Sequence, residues 1–459
     1  MNALITVFWL ILVLLAAFWL TTKGIPKIFG VCARFLGFST EISPVTLKRI
    51  KRFKSIKRGY YSFLLITTLL VLSFFLELLI NNKALAIYYN GKIAFPAVME
   101  WLNRLSFVEI SSFNKASDFG QMGTGDVHYR QFQECVNNPG LIQEEIQTRK
   151  KEVIVVQTEL KDPNLSLPKS TIQEREQREK RLIGEIQFLE ESYSIFQQGK
   201  AWCWMPLYPY SYKENFLSLD GMRPPYKPMR KHPLGSDDSG KDVLCQVAYG
   251  FRVSLMFALI VAAIGEFIGI LIGAIMGYYG GWVDIILQRF IEIWSSIPFL
   301  FTIMIIASAV KVNFLLMVVM LVVLRSWMGI TYTIRGEFYR EKARDYVQAA
   351  IAMGASDWKV MTRHILPNAL VPVVSYAPFS IVAYISVLVS LDYLGYGLPP
   401  GTPSWGTLLH QGTNPGYIMN TPHLIFVPAI AFATTLFMVV LIGEAVREAF
   451  DPKVYSRLR

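Results

Sequence analysis

Residues 346–370 read YVQAAIAMGASDWKVMTRHILPNAL, small and charged residues set between two apolar stretches at 313–330 and 369–391. The second of those stretches carries no charged residue, and a buried helix of a water-soluble protein seldom runs that far without one. Working outward, five more apolar stretches have comparable length: 3–21, 60–80, 253–277, 291–310 and 424–443. About 20 apolar residues cross a hydrocarbon layer of ~30 Å, so each is expected to be a membrane helix. Composition agrees. The chain is 53% hydrophobic and 17% charged, where a soluble globular chain carries about a quarter charged residues. The fold expected is an all-α polytopic membrane protein.

The formal net charge of +11 invites a nucleic-acid partner, but its placement argues against one. Ten Lys or Arg and one acid, Glu41, lie between Lys23 and Arg58, while 83–242 holds 21 basic and 21 acidic residues. A basic block beside apolar spans marks the cytoplasmic side, where it can also touch anionic membrane lipid. With 23–58 inside, span 60–80 runs outward and leaves 81–250 outside. The later spans alternate and return 332–367 to the cytoplasm, where Arg335, Arg340, Lys342, Arg344, Lys359 and Arg363 face four acids. Residues 446–459 end inside. The first apolar stretch lacks a basic start, so 1–22 is expected to be an uncleaved N-terminal anchor followed by a basic linker, 23–59.

Within 81–250, apolar residues recur at helical spacing in Ile142, Ile146, Val153, Val156 and Leu160, and again in Leu182, Ile186, Leu189, Tyr193 and Phe196. The run Asp162–Pro168 between them contains two prolines that a helix would not hold, so 140–198 is expected to be a helical hairpin. Cys135 and Cys203 flank it and are a candidate disulfide in an oxidising compartment, with two buried free thiols as the alternative.

Catalytic and metal signatures do not emerge. The five histidines show no paired ligand spacing, the cysteines form no C-x2-C, and neither G-x-S-x-G nor H-E-x-x-H occurs. Gly235-Ser-Asp-Asp-Ser-Gly240-Lys241 approaches a phosphate-binding loop, but Asp242 replaces the magnesium-binding hydroxyl and would repel phosphate. No metal or nucleotide is therefore expected on this chain. Among charges inside the spans, Glu266 lies mid-span and is the candidate for lining a polar pathway or pairing with a partner.

Gln348-Ala349-Ala350, then Gly354, then Ile365-Leu366-Pro367, resemble the EAA-x3-G loop of ABC importer permeases. DYLGYGLPPGTPSWG at 392–406, Gly235–Leu244, Gly277–Gly281 and Gly443–Pro452 resemble the same family. The likeness covers roughly 60–105 and 205–455. It points to the oligopeptide, dipeptide and nickel branch, and within it to the Yej-type inner-membrane permeases of peptide and microcin importers.

That resemblance implies a six-helix permease core, 60–80 with 251–445, to which the N-terminal anchor and a periplasmic insertion are additions. It implies a peptide importer in the bacterial inner membrane. Its partners would be a second homologous permease, two ATP-binding subunits or domains using ATP and Mg, and a periplasmic substrate-binding protein. Loop 346–367 would couple the chain to the ATPases by laying a short helix into a groove. Ala349 and Ala350 would keep one face slim, Gly354 would break the helix, and Pro367 would pre-set the next span. The family's usual first Glu is Gln348 here. Two other readings stand beside this one: a membrane scaffold working through the hairpin, and a secondary transporter, which would be expected to show inverted repeats.

Overall fold

The computed structural model describes residues 22, 44–105, 111, 113–161, 169–218 and 221–450. Residues 1–21 of the expected anchor, 23–43 of the basic linker with Cys32, the 162–168 turn and 451–459 of the tail lie outside the described residues. The chain forms two compact units, Met1–Phe74 with Asn215–Arg459, and Phe75–Glu214. The helices α1 (Pro44–Ser55) and α2 (Lys57–Ser73) belong to the first unit. The second unit contains α3 (Leu76–Leu79), β1 (Ala86–Tyr89), β2 (Lys92–Ala94) and α4 (Pro96–Leu105). It continues with α5 (Tyr129–Asn137), α6 (Gly140–Lys161), α7 (Lys169–Gln197) and β3 (Ala201–Trp204). The first unit then resumes with α8 (Val243–Tyr279), α9 (Gly281–Ser295), α10 (Phe299–Ala309), α11 (Phe314–Ser326) and α12 (Met328–Lys342). It ends with α13 (Asp345–Ala352), α14 (Asp357–Tyr393), α15 (Trp405–Gly412) and α16 (His423–Phe450).

Among the described residues α8, α14 and α16 are each long and apolar enough to cross a membrane. The bent pairs α9 with α10 and α11 with α12 bring the count to five if each is one span. The stretch 291–310 is thus not the straight helix its hydropathy suggests. It turns by 66° between Ser295 and Phe299, where Ser296 and Ile297 close tight turns onto Ile293 and Trp294 and Pro298 has no N–H to continue the ladder. The stretch 60–80 is likewise shorter as a helix, because α2 stops at Ser73.

A close seam of this unit runs along α8, where Gly265, Gly269, Gly273 and Gly277 recur every fourth residue and so share one face. A Cβ on any of them would collide with Ser326, Ile330, Ile334 or Phe338 on the facing helices α11 and α12. In lipid, helices gain little by hiding apolar surface from each other, so close backbone approach through small residues supplies the attraction. Gly59 of α2 makes a comparable approach to Ala445 of α16. Between these seams lies an apolar core that includes Phe257, Val261, Met317, Leu321, Ile385 and Leu388.

The second unit is built differently. Asn90 and Gly91 both have positive φ, as a two-residue hairpin turn requires, and join β1 to β2. β3 pairs antiparallel on the other edge of β1, with Ile87 opposite Cys203, giving the order β2-β1-β3. This small sheet is a feature the helical reading of the segment did not contain. α6 and α7 pack on each other through Ile142, Ile146, Val156, Leu182 and Leu189, all buried. Polar contacts edge that seam: an ion pair of Lys150 Nζ with Glu190 Oε1 at 2.7 Å, and a hydrogen bond from Gln157 Nε2 to Glu179 Oε1 at 2.6 Å.

Two expectations need correcting here. Cys135 and Cys203 are free thiols, each packed against the core around Phe132 and Phe196, and Cys203 Sγ faces the Tyr129 carbonyl at 4.0 Å. Burial raises the thiol of Cys135 and pushes that of Cys203 up to about 12. The segment 81–250 is also not one domain, since residues 215–242 belong to the first unit.

Their reason is chemical. Asp242 caps α8 by accepting from Cys245 N at 3.0 Å, and its other oxygen meets His232 Nδ1 at 2.7 Å with both side chains buried. Asp237 accepts from the backbone N–H of Ser239 and Lys241, and His423 Nε2 of α16 lies 3.3 Å from the Ser236 carbonyl. The stretch resembling a phosphate loop is therefore a buried helix cap whose acids turn inward.

Candidate functional site

The loop between α12 and α14 is seated on its own chain. Its buried residues Val347, Val360, Met361 and Ile365 share a core with Ala274 and Tyr278 of α8, Ile334 and Phe338 of α12, and Ala369 and Val373 of α14. Polar contacts close the seam. Lys342 Nζ donates to the Tyr278 carbonyl at 2.5 Å, Tyr278 OH to Asp357 Oδ1 at 2.6 Å, and Tyr346 OH to Glu341 Oε2 at 2.7 Å. Asn368 Nδ2 reaches the same Tyr346 oxygen at 2.8 Å. One turn away, Asp284 of α9 takes Arg335 Nη2 and Tyr339 OH, each at 2.6 Å. The loop is thus fixed to the ends of α8, α12 and α14, and movement of one would be carried to the others.

Its residues divide between holding and display. Ala350 is buried and lets α13 approach the bundle, whereas Gln348, Ala349 and Gly354 are exposed. Gln348 donates from Nε2 to the Lys342 carbonyl at 2.8 Å, a bond that a carboxylate, which only accepts, could not make. Gly354 has φ +78°, with its N–H on Ile351 O and Ala355 N–H on Ala350 O. That pair of bonds closes a helix with a left-handed residue. Nothing lies within 4 Å of where its Cβ would be, so backbone conformation rather than packing asks for glycine there. Ile365 is fully buried, Leu366 partly so, and Pro367 is exposed in the first turn of the straight part of α14. The outer face carries exposed Tyr346, Ile351, Met353 and Trp358. This exposed and largely apolar surface has the character of a contact face.

The second signature, 392–406, is a latch. Asp392 accepts from Leu398 N at 2.7 Å and from the hydroxyl of Ser404, which in turn caps α15 by accepting from Gly406 N. Trp405, almost wholly buried, donates from Nε1 to the Val247 carbonyl of α8 at 3.1 Å.

Midway along the helices lies a cavity of about 620 Å³. Ser295, Ser296, Arg325, Ser326, Tyr332, Tyr376, Ser380 and Tyr384 supply its polar lining, with Pro298 and Phe299 at the bend of α9 and α10. Glu266 accepts from Ser380 Oγ at 2.9 Å, so the acid singled out in the sequence stands one hydrogen bond behind this wall. Arg289, by contrast, pairs with Glu292 one turn on along α9 at 2.5 Å. The cavity residues carried little signal in the sequence: scattered serines and tyrosines are ordinary, and only Arg325, a cation inside an apolar run, stood out as chemically unusual.

Residues 269–456 match the family described as the binding-protein-dependent transport system inner membrane component. A peptidoglycan transport system permease protein, YejE, of Agrobacterium fabrum is 32% identical over 90% of this chain and 94% of its own length. The inner membrane ABC transporter permease protein YejE of Escherichia coli K12 is 33% identical over 90% of this chain and 98% of its own. The oligopeptide transport system permease protein OppC of Haemophilus influenzae is 33% identical over 54% of this chain and 78% of its own. A membrane-spanning helical bundle and relatives matched over nearly their whole length lead to one conclusion: the chain belongs to the inner-membrane permeases of binding-protein-dependent ABC importers.

Proposed function

We propose that this permease carries peptides or peptide-like compounds inward across the bacterial inner membrane. The observation that carries the reading is the seated loop 345–368. It is bolted to three membrane helices on one side and presents Tyr346, Ile351, Met353 and Trp358 on the other. That is the construction a membrane subunit needs to receive mechanical work from elsewhere. The names of the relatives, peptidoglycan and oligopeptide transport proteins, favour a peptide cargo. A cavity walled by hydroxyls suits the amide backbone of such a cargo without dictating its side chains.

In this reading the working assembly is this chain, a second homologous permease, two ATP-binding subunits and a periplasmic binding protein. ATP and Mg are held by the ATPases, and this chain binds neither. The loop faces the cytoplasm, and Phe75–Glu214 lies in the periplasm. Closure of the ATPases rotates the helices as rigid bodies, with Gln348, Ala349, Ala350, Gly354, Ile365, Leu366 and Pro367 shaping the joint. Affinity purification of the tagged chain with its co-expressed partners, followed by ATP-dependent uptake of a labelled tripeptide into proteoliposomes, tests this. Co-eluting ATPases and ATP-dependent uptake are expected. A chain that elutes without any nucleotide-hydrolysing partner would overturn the reading.

A further inference from the structure

Arg325 is the unusual member of the cavity wall. It lies within an apolar helix, at a π-helical widening, Val322–Ser326, that adds a residue to the turn. Among the described residues it has no ion-pair partner. Its guanidinium sits 5.5 Å over the ring of Phe299, the residue that follows the Pro298 bend. A cation inside a membrane span is costly unless it is paired or faces water, and it commonly marks the route of a charged cargo.

The surroundings favour a visiting anion over a resident one. Tyr332 and Tyr376 bring to the same cavity hydroxyls that no hydrogen bond among the described residues engages, whereas those of Ser295, Ser296, Ser326 and Ser380 already donate to Glu292 O, Val322 O and Glu266. Glu266, the acid behind the wall, is engaged by Ser380 and reaches the cavity only through it. The bend between α9 and α10 keeps Phe299 beneath the guanidinium, where the ring face supports the cation without neutralising it.

We propose that this cavity is a subsite for the terminal carboxylate of the cargo, with Arg325 as its cation and the hydroxyls of Tyr332 and Tyr376 as supporting donors. The inference rests on the peptide reading above and adds to it a recognised group and a place. The guanidinium fork matches a carboxylate with two parallel N–H bonds, which an ammonium does not reproduce.

The test uses the intact importer purified with its partner subunits but without the binding protein, so that any selectivity belongs to the membrane part. The probes are N-dansyl-trialanine with a free C-terminus and the same peptide as its C-terminal amide, with affinity read by fluorescence. The native protein should bind the acid about tenfold more tightly than the amide, the worth of one charge-assisted hydrogen bond. Arg325→Gln should erase that preference by weakening the acid alone, and Arg325→Lys should restore part of it. Equal weakening of acid and amide in Arg325→Gln would overturn the proposal and assign Arg325 to a carboxylate of the partner permease. An unchanged preference would overturn it too. If the native importer, resupplied with its binding protein and ATP in proteoliposomes, transports neither probe, the peptide reading itself fails, and that outcome is distinct from a loss confined to the Arg325 variants.

Discussion

The α8–α12 seam and the α6–α7 seam are both long helix pairs, yet they are held by opposite means. From Gly265 to Gly277 of α8 every fourth residue is glycine, and the facing side chains press against bare backbone. Along α6 and α7 the contact is made by buried Ile, Val and Leu, with Lys150–Glu190, Arg149–Glu185 and Arg175–Glu159 at the rim. The solvent explains the contrast. In water an apolar stripe is driven inward and the charged rim keeps the rest soluble. In lipid an apolar stripe is already satisfied, so only intimate contact distinguishes a packed pair from two separate helices. One chain therefore uses two grammars of helix pairing, divided at the border between its units.

The strongest way to break this comparison is to put a large side chain into the glycine seam. Gly269 faces Ile330 and the Trp327 carbonyl, leaving no space for even a methyl group. Adding a few methylenes to a packed core costs ~1–3 kcal/mol, and Gly269→Leu adds an isobutyl group where helix backbones meet. The expected outcome is loss of folded, detergent-extractable protein. The measurement is a monodisperse peak in size-exclusion chromatography, and a Gly269→Leu protein that keeps native yield would show that the seam is not tight.

The next effect belongs to the other grammar. Leu189 of α7 is 3% exposed, within the core that also holds Phe132 and Ile146. Leu189→Ala should cost about 2–5 kcal/mol of local stability through lost burial and the cavity left behind. Limited proteolysis of the purified protein should cut within 140–198 much faster in the variant. Equal cleavage rates would mean that the pair is not held by its apolar stripe.

These two seams also show what the sequence made legible. The apolar runs that became α8, α14 and α16 are readable by length alone, because a soluble helix seldom supplies so many apolar residues with at most one charge among them. The glycine seam sits inside such a run and is hidden by it, since hydropathy counts Gly265, Gly269 and Gly273 as mild residues and overlooks their spacing. The bend of α9 against α10 had a local cue in Ser295-Ser296-Ile297-Pro298, which a window of 20 residues averages away. β1 and β2 were announced by Asn90-Gly91, but β3 starts 115 residues beyond the start of β1, and such pairing leaves no local trace. At the candidate site, the coupling-loop motif is contiguous and could be read directly. The cavity draws on five separate elements, α9, α10, α11, α12 and α14, and nothing in the sequence links Ser380 to Glu266.

A subtler effect is expected at Gly354, where exposure removes any packing argument and leaves only backbone conformation. A β-branched residue held at φ +78° costs roughly 1–2 kcal/mol, whereas Asn tolerates this conformation. Gly354→Val should lower ATP-dependent uptake in proteoliposomes severalfold while the chain remains assembled, and Gly354→Asn should retain most of it. If the two variants behave alike, then contact with a partner, and not the left-handed turn, sets the requirement at this position.

The smallest effect is the charged rim of the α6–α7 pair, and it sharpens the comparison most finely. Lys150 and Glu190 are half exposed, at 47% and 50% of their side-chain surface, so water screens their attraction. Exposed pairs of this kind contribute about 0.2–1 kcal/mol, and the coupling weakens as salt rises. Lys150→Ala, Glu190→Ala and the double variant form a cycle that isolates the pair from the helix propensities of the two sites. The local stability of 140–198, followed by native-state proteolysis at low and high salt, should show a small favourable coupling at low salt that shrinks toward zero at high salt. A coupling above about 2 kcal/mol, or one indifferent to salt, would mean that charge and not the apolar stripe holds this seam, and the division between the two grammars would fail on its soluble side.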